Sequence, residues 1–131
     1  MLKISLVPSL SKMSAQFQPP IVSVSVEELA QHLNSGAIEG LQLIDVRELE
    51  EIAIASIPNF TILPLSQFNQ WAEQITTRFD PHKETLVLCH HGIRSAQMCQ
   101  WLASQGFTNV KNITGGIDAY ASQCDRGIAL Y

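Results

Sequence analysis

Thr85-Leu86-Val87-Leu88-Cys89-His90-His91-Gly92-Ile93-Arg94-Ser95 is the stretch that decides the reading of this chain. Residues 85–88 form a short, nearly all-apolar run, the pattern of a strand covered on both faces, as in the middle of a parallel sheet. The run leads straight into a cysteine. Gly92 then permits a turn that a Cβ would oppose. A helix is expected from about Ser95 to Gln105, stopped at Gly106.

The flanking sequence alternates strand and helix in both directions. Upstream, Ile21, Val22 and Val24 read as a short strand, and Ser25-Val26-Glu27-Glu28 as a capping box opening a helix that Gly36 ends. Leu41 to Val46 is a second strand. Arg47 to Ala55 suits a short helix closed by Pro58, and Thr61-Ile62-Leu63 a third strand. Ser66 is placed to cap one continuous helix from Gln67 to Phe79, whose stripe Phe68, Trp71, Ile75 and Phe79 belongs in a core. Downstream, Val110 to Ile113 is the last strand, and Gly115-Gly116 turns into a helix from Ile117 to about Cys124. Strands separated by crossover helices pair in parallel, so the expectation is one α/β domain.

Composition bounds the function. The chain has 131 residues, 46% apolar and 15% charged, enough for a single well-filled core. A net charge of −4 offers no general attraction to nucleic acid or to an anionic membrane, so neither is an expected partner. Any anionic substrate must be drawn in by a local site. The three cysteines, Cys89, Cys99 and Cys124, have no CxxC spacing, and a thiol-keeping compartment such as the cytoplasm is the simplest setting. No Cys/His pattern has the spacing of a structural zinc site, and His32 and His82 lack partners at ligand spacing, so no metal is expected. Gly115-Gly116 lacks the remainder of a nucleotide-binding loop, and no cofactor is expected. Residues 1–20 read as a flexible tail ahead of a domain at 21–131. Met13 is an alternative start, and Lys3 and Lys12 without acidic neighbours leave room for a short targeting peptide.

Chemistry concentrates in the loop after residue 88. Ligands of open α/β sheets bind outside the carboxyl ends of the strands, where Cys89 falls. A sharp turn followed by a helix start directs backbone N–H groups at an anion, and Arg94 adds a fork of charged donors. These features favour a reactive thiolate at Cys89 over an inert core cysteine, whereas Cys99, beside Met98 and Trp101, and Cys124 suit the core. His90, His91, Gly92, Ile93, Arg94 and Ser95 are the expected substrate-binding residues. His90 and His91 would add charge near pH 6.5 or below, or hydrogen-bond a donor. Asp45 and Arg47 are expected to support the site. Asp45 would orient Arg94 or the loop, or else cap the next helix; Arg47 would help hold an anion, or else pair with Glu50 or Glu51.

The segment Leu86 to Ser95 resembles the active-site strand and loop of the rhodanese family. Leu43-Ile44-Asp45-Val46-Arg47-Glu48 is similar to that family's Asp-Val-Arg segment, and Ile57-Pro58 to its His-Ile-Pro-Gly-Ala stretch. Gly106-Phe107-Thr108-Asn109-Val110 with Thr114-Gly115-Gly116-Ile117-Asp118-Ala119-Tyr120 is similar to its C-terminal signature. The resemblance spans about residues 21–125. It implies a central five-stranded parallel sheet with helices on both faces. It further implies a sulfurtransferase in which Cys89 takes a sulfane sulfur from a small anionic donor such as thiosulfate, holds it as a persulfide, and passes it to a thiol or protein acceptor. Two departures stand out: Ser56 replaces a common histidine, and Asn59-Phe60 replaces Gly-Ala. They are expected to alter local packing and leave the chemistry intact.

Two other readings remain. Cysteine phosphatases and arsenate reductases also combine cysteine, an N–H nest and arginine, but as Cys-x5-Arg; here four residues separate Cys89 from Arg94, and the smaller ring suits sulfur better than a phosphoryl group. A regulatory or persulfide-sensing binding module is the non-enzymatic alternative. Oligomeric state is left open by the sequence.

Overall fold

The computed structural model describes residues 20–131. The tail expected at residues 1–20 lies, apart from Pro20, outside the described residues, as do the alternative start and the targeting peptide.

Five strands, β1 (Val22–Val24), β2 (Leu41–Asp45), β3 (Thr61–Ile62), β4 (Glu84–Leu88) and β5 (Val110–Ile113), form one sheet in the order β1-β5-β4-β2-β3. Every neighbouring pair is parallel. The helices are α1 (Val26–Ser35), α2 (Leu49–Ile54), α3 (Phe68–Trp71), α4 (Ile75–Arg78), α5 (Ile93–Ser104) and α6 (Gly116–Gln123). Among the described residues, no helix is long and apolar enough to cross a membrane.

Strand alternation explains the two layers. Side chains of successive strand residues point to opposite faces. Leu43, Leu86, Leu88 and Ile113 enter one core with Val26 and Leu29 of α1 and Ile117 and Tyr120 of α6. Ile44 and Val87 enter the other with Trp71, Ile75, and Met98, Trp101 and Leu102 of α5. Helices on both faces therefore follow from the consecutive apolar residues Leu43-Ile44 of β2 and Leu86-Val87-Leu88 of β4, which fill both cores and leave no polar alternation there.

At α1 one half of the expected capping box forms, Ser25 Oγ accepting from the Glu28 N–H at 3.1 Å without a return bond from the Glu28 side chain, and Gly36 takes the left-handed conformation at φ 75°. The helix expected at 67–79 is different. It divides into 3-10 turns at Leu65–Gln67 and Ala72–Gln74, with α3 and α4 between and after them. Ser66 does not cap it, because its N–H and hydroxyl both donate to the Glu48 carboxylate. Trp71 Nε1 is tied back to the Pro64 carbonyl at 2.9 Å. Its ring meets Phe68 and Trp101 edge-on at centroid distances of 5.2 and 5.9 Å. The segment tightens to satisfy these contacts instead of running as a regular helix. Its apolar stripe is core, as expected.

Asn59 sits at φ 77°, a left-handed position that asparagine tolerates better than other side chains. The replacement of the family's usual glycine there is thus conformationally conservative. Phe60 next to it packs against the core of α1 and α6, the local change in packing that the departure implied.

Beyond β2 the chain moves to β3 on one side of the sheet, and beyond β4 it moves to β5 on the other. The β2/β4 junction is therefore the switch point, and the crevice outside its carboxyl ends is the natural ligand position. Asp45 and Cys89 both stand there, with the Val46 N–H bonded to the Leu88 carbonyl at 3.0 Å.

Candidate active site

Cys89 follows the last residue of β4 and is 1% exposed. Its Sγ accepts the Gly92 N–H at 3.0 Å and lies 3.2 Å from Ser95 Oγ. The turn closes so tightly because Gly92 holds φ 99°, with its Cα side facing the Gly115 backbone; a Cβ there would lie 3.1 Å from Gly115 N. The helix expected near Ser95 already begins at Ile93, and Gly92, as its N-cap, offers no side-chain oxygen. The first-turn N–H groups of α5 consequently have no capping side chain, the arrangement that favours a bound anion.

Ser95 is completely buried beneath the loop. Its hydroxyl donates to Asn112 Oδ1, while Asn112 Nδ2 donates to the Gly92 carbonyl at 3.0 Å. One amide on β5 thus clamps both ends of the turn. Asn112 was missed from sequence; the available signal was an amide between Lys111 and Ile113 near the end of β5. The start of α6 forms a second clamp, with the Ile117 N–H on the Cys89 carbonyl at 2.9 Å and the Asp118 N–H on the His90 carbonyl at 3.1 Å. Gly116, at φ 61°, permits that approach, because a Cβ would overlap the carbonyl oxygens of both Cys89 and His90. Gly115-Gly116 is a docking surface for the loop as well as a turn.

Arg94 meets Glu51 of α2 in a two-pronged ion pair, Nη1 to Oε2 at 2.7 Å and Nη2 to Oε1 at 2.9 Å. Hydrogen bonding from Arg94, against the opposing effect of burial, holds the Glu51 carboxyl down at about 2. The same bonding raises Arg94 further above its already high value. The Tyr131 hydroxyl donates to Glu51 Oε1 at 2.8 Å and accepts from Arg47 Nη1 at 2.9 Å. Neither Glu51 as the partner of Arg94 nor Tyr131 was foreseen, because nothing local links residues so far apart in sequence.

Asp45 and Arg47 meet partners other than those expected. Arg47 is fully buried and pairs with Asp45, Nη2 to Oδ2 at 2.9 Å and Nε to Oδ1 at 3.1 Å. It also donates to the Ala55 carbonyl at 2.9 Å. Burial alone would lower its pKa; the hydrogen bonds with Asp45 and Tyr131 outweigh that and raise it. Arg47 makes no ion pair with Glu50 or Glu51, and its link to the loop runs through Tyr131, whose hydroxyl it reaches at 2.9 Å and whose ring stacks on His90. Asp45 accepts the Arg47 N–H at 3.0 Å but caps no helix, because the N-cap of α2 is Glu48, and it does not orient Arg94, which Glu51 holds instead. The reason is that α2 begins at Leu49, two residues late, so Arg47 lies in the connection and folds back beneath it.

The remaining loop residues separate by exposure. Ile93 is 72% exposed, His91 is exposed, and His90 is half-buried. The His90 ring stacks on Tyr131 at a centroid distance of 3.9 Å and on His91 at 3.8 Å. Burial, reinforced by His91, lowers the His90 pKa, so its charging shifts to more acid pH than the sequence suggested. His90, His91 and Asp118 bring one potential ligand atom each within 4.8 Å of one another. All three thiols are free. Burial pushes Cys99 up to about 12 and also raises Cys124, whose Sγ donates to the Val26 carbonyl at 3.4 Å. Both are held as thiols, Cys99 in the same core that buries Cys89.

Comparison with known proteins agrees with this architecture. The family model of the rhodanese-like domain matches residues 25–123. A rhodanese-like/PpiC domain-containing chloroplastic protein of Arabidopsis thaliana is 49% identical over 113 residues, which is 86% of this chain and 38% of that protein. A sulfurtransferase of Allochromatium vinosum is 33% identical over 98 residues, 75% of this chain and 86% of that one. The crystal structure of a rhodanese-like domain protein from Staphylococcus aureus superposes with a TM-score of 0.65 at 26% identity, covering 85% of this chain and 99% of that one. The chain thus spans well under half the length of its Arabidopsis relative and nearly all of the S. aureus domain. Relatives named as sulfurtransferases support a role in sulfur transfer. The match over nearly all of the sheet and its helices, together with the loop of Cys89, places this chain in the rhodanese-like domain family.

Proposed function

We propose that residues 21–131 form a sulfurtransferase domain in which Cys89 carries the sulfur. The observation that carries this reading is the seating of Cys89 Sγ on the Gly92 N–H, at the mouth of an uncapped helix and at the sheet's switch point. The Cys89 thiolate attacks the outer sulfur of a donor such as thiosulfate. The donor's S–S bond breaks, sulfite leaves with the bonding pair, and a Cys89 persulfide remains. A nucleophilic acceptor, either cyanide in an assay or a thiolate of a small molecule or protein, then attacks the terminal sulfur and regenerates the Cys89 thiolate. No external oxidant or reductant is consumed, and ping-pong kinetics follow from the covalent intermediate.

Backbone N–H groups of residues 90–95 would bind the donor anion and stabilise the persulfide charge. Arg94 is positioned by Glu51, and their mutual neutralisation leaves more of the anion binding to the backbone. The near-complete enclosure of Cys89 supports a donor with a single terminal sulfur over a tetrahedral phosphate ester. Three free thiols support a reducing compartment, the cytoplasm in the simplest case.

The test is intact-protein and peptide mass spectrometry after treatment with thiosulfate. The expected result is a gain of one sulfur atom, located on Cys89 and removed by cyanide. Absence of the adduct, or hydrolysis of an aryl phosphate in its place, would overturn the reading. A second expectation concerns Gly116→Ala. Displacing the Cys89 and His90 carbonyls shifts the loop on a scale at which catalysis falls about 100-fold. Thiosulfate:cyanide transfer within about threefold of wild type would show that the α6 clamp does not position the loop.

A further inference from the structure

The two histidines of the loop have a relationship that sulfur transfer does not explain. His90 Nε2 is buried without a hydrogen-bond partner, an arrangement rare enough for a polar atom to call for a ligand or another specific cause. The ring is not free to turn away from its position, because Tyr131 stacks on it nearly parallel, at 6°. His91 lies against the same ring, and Asp118 reaches the pair from the first turn of α6. Asp118 is held in place by its own backbone, whose N–H bonds to the His90 carbonyl at 3.1 Å.

We propose that His90, His91 and Asp118 bind a single divalent transition-metal ion of the zinc type at the rim of the Cys89 loop. Two imidazoles and one carboxylate, with water in the fourth position, are a donor set that zinc accepts with tetrahedral geometry. The ligand atoms lie within 4.8 Å of one another. Bonds of about 2.0–2.2 Å to a common ion require closer spacing, which side-chain rotation of exposed His91 and partly exposed Asp118 supplies. Imidazole nitrogen suits zinc, copper and nickel, whereas magnesium and calcium prefer oxygen ligands. The sequence showed no metal spacing because Asp118 joins the adjacent histidines only through the docking of α6 on the loop.

The site makes no use of Cys89, and this separates the proposal from trivial capture of metal by a thiolate. Equilibrium dialysis against zinc chloride is expected to show one bound ion for the wild-type chain and for Cys89→Ser. Affinity is expected to fall about tenfold or more in His91→Ala and in Asp118→Asn, with the folded circular dichroism spectrum retained; loss of a direct ligand costs at least as much as loss of an outer-shell partner. Cobalt(II) loaded into the Cys89→Ser chain should give a visible d–d spectrum typical of nitrogen and oxygen ligands, without a thiolate charge-transfer band. Binding that is lost in Cys89→Ser, binding unaltered in both ligand variants, or no binding at all would overturn the proposal. None of these outcomes depends on whether the protein transfers sulfur.

Discussion

Cys89→Ser is expected to lose thiosulfate:cyanide transfer by about 10³-fold or more, the scale on which covalent catalysis collapses when its nucleophile is removed. The substitution is nearly isosteric, and the Gly92 N–H and the Ser95 hydroxyl stay available to a serine oxygen. Folding stability should therefore change by no more than about 1 kcal/mol, within the ordinary range for a single substitution that leaves no buried group unpaired. Chemistry has no such continuity. A serine hydroxyl is a weak nucleophile unless a base is at hand, and the groups bonded to Sγ are an N–H and a hydroxyl. Oxygen also cannot form the disulfide-like link to the transferred sulfur. Steady-state kinetics with a denaturant melt on the same preparation checks both halves. Transfer within tenfold of wild type would remove Cys89 from the mechanism. The other thiols are not expected to substitute for it, since Cys99 is pushed up to about 12 by burial.

The second large effect is on stability. Arg47→Met should destabilise the fold by about 3–5 kcal/mol, because it strips a buried carboxylate of its counter-charge. Asp45 is 1% exposed and would keep only the backbone N–H of residue 47 as a partner. The Ala55 carbonyl and the Tyr131 hydroxyl would lose their guanidinium donor too. The total stability of a domain is about 5–15 kcal/mol, so the single variant approaches the limit of folding. Adding Asp45→Leu to it should recover a large share of the loss, since an apolar pair often matches a buried ion pair in stability. Urea midpoints for the two single variants and the double variant measure the coupling. A loss below about 1 kcal/mol in Arg47→Met would show that the ion pair carries little of the fold.

These two residues also show how differently function and scaffold are written in the chain. Cys89 declares itself by position, at the end of an apolar strand and before a glycine turn. Arg47, in contrast, reads from the sequence as an anion holder or as the partner of Glu50 or Glu51 on its own helix. It is buried because α2 starts at Leu49, two residues later than expected, leaving the guanidinium beneath the β2 connection.

By itself the sequence determined the order of the strands, their parallel pairing, the strand-to-helix loop after β4 and the rhodanese-like resemblance. Each rests on near neighbours: apolar runs, alternation, cap residues, and a glycine that only a tight turn requires. The tertiary structure alone decided which partners those residues meet. Sheet order sets β2 and β5 on either side of β4, bringing Glu51 beside Arg94, Asn112 beneath Ser95, and Asp118 against His90. Such pairings depend on how whole elements pack, and no local propensity encodes them. The loop around Cys89 was legible because its turn is local; its clamps, its ion pair and its candidate metal site were not, because each is made by a segment remote in sequence.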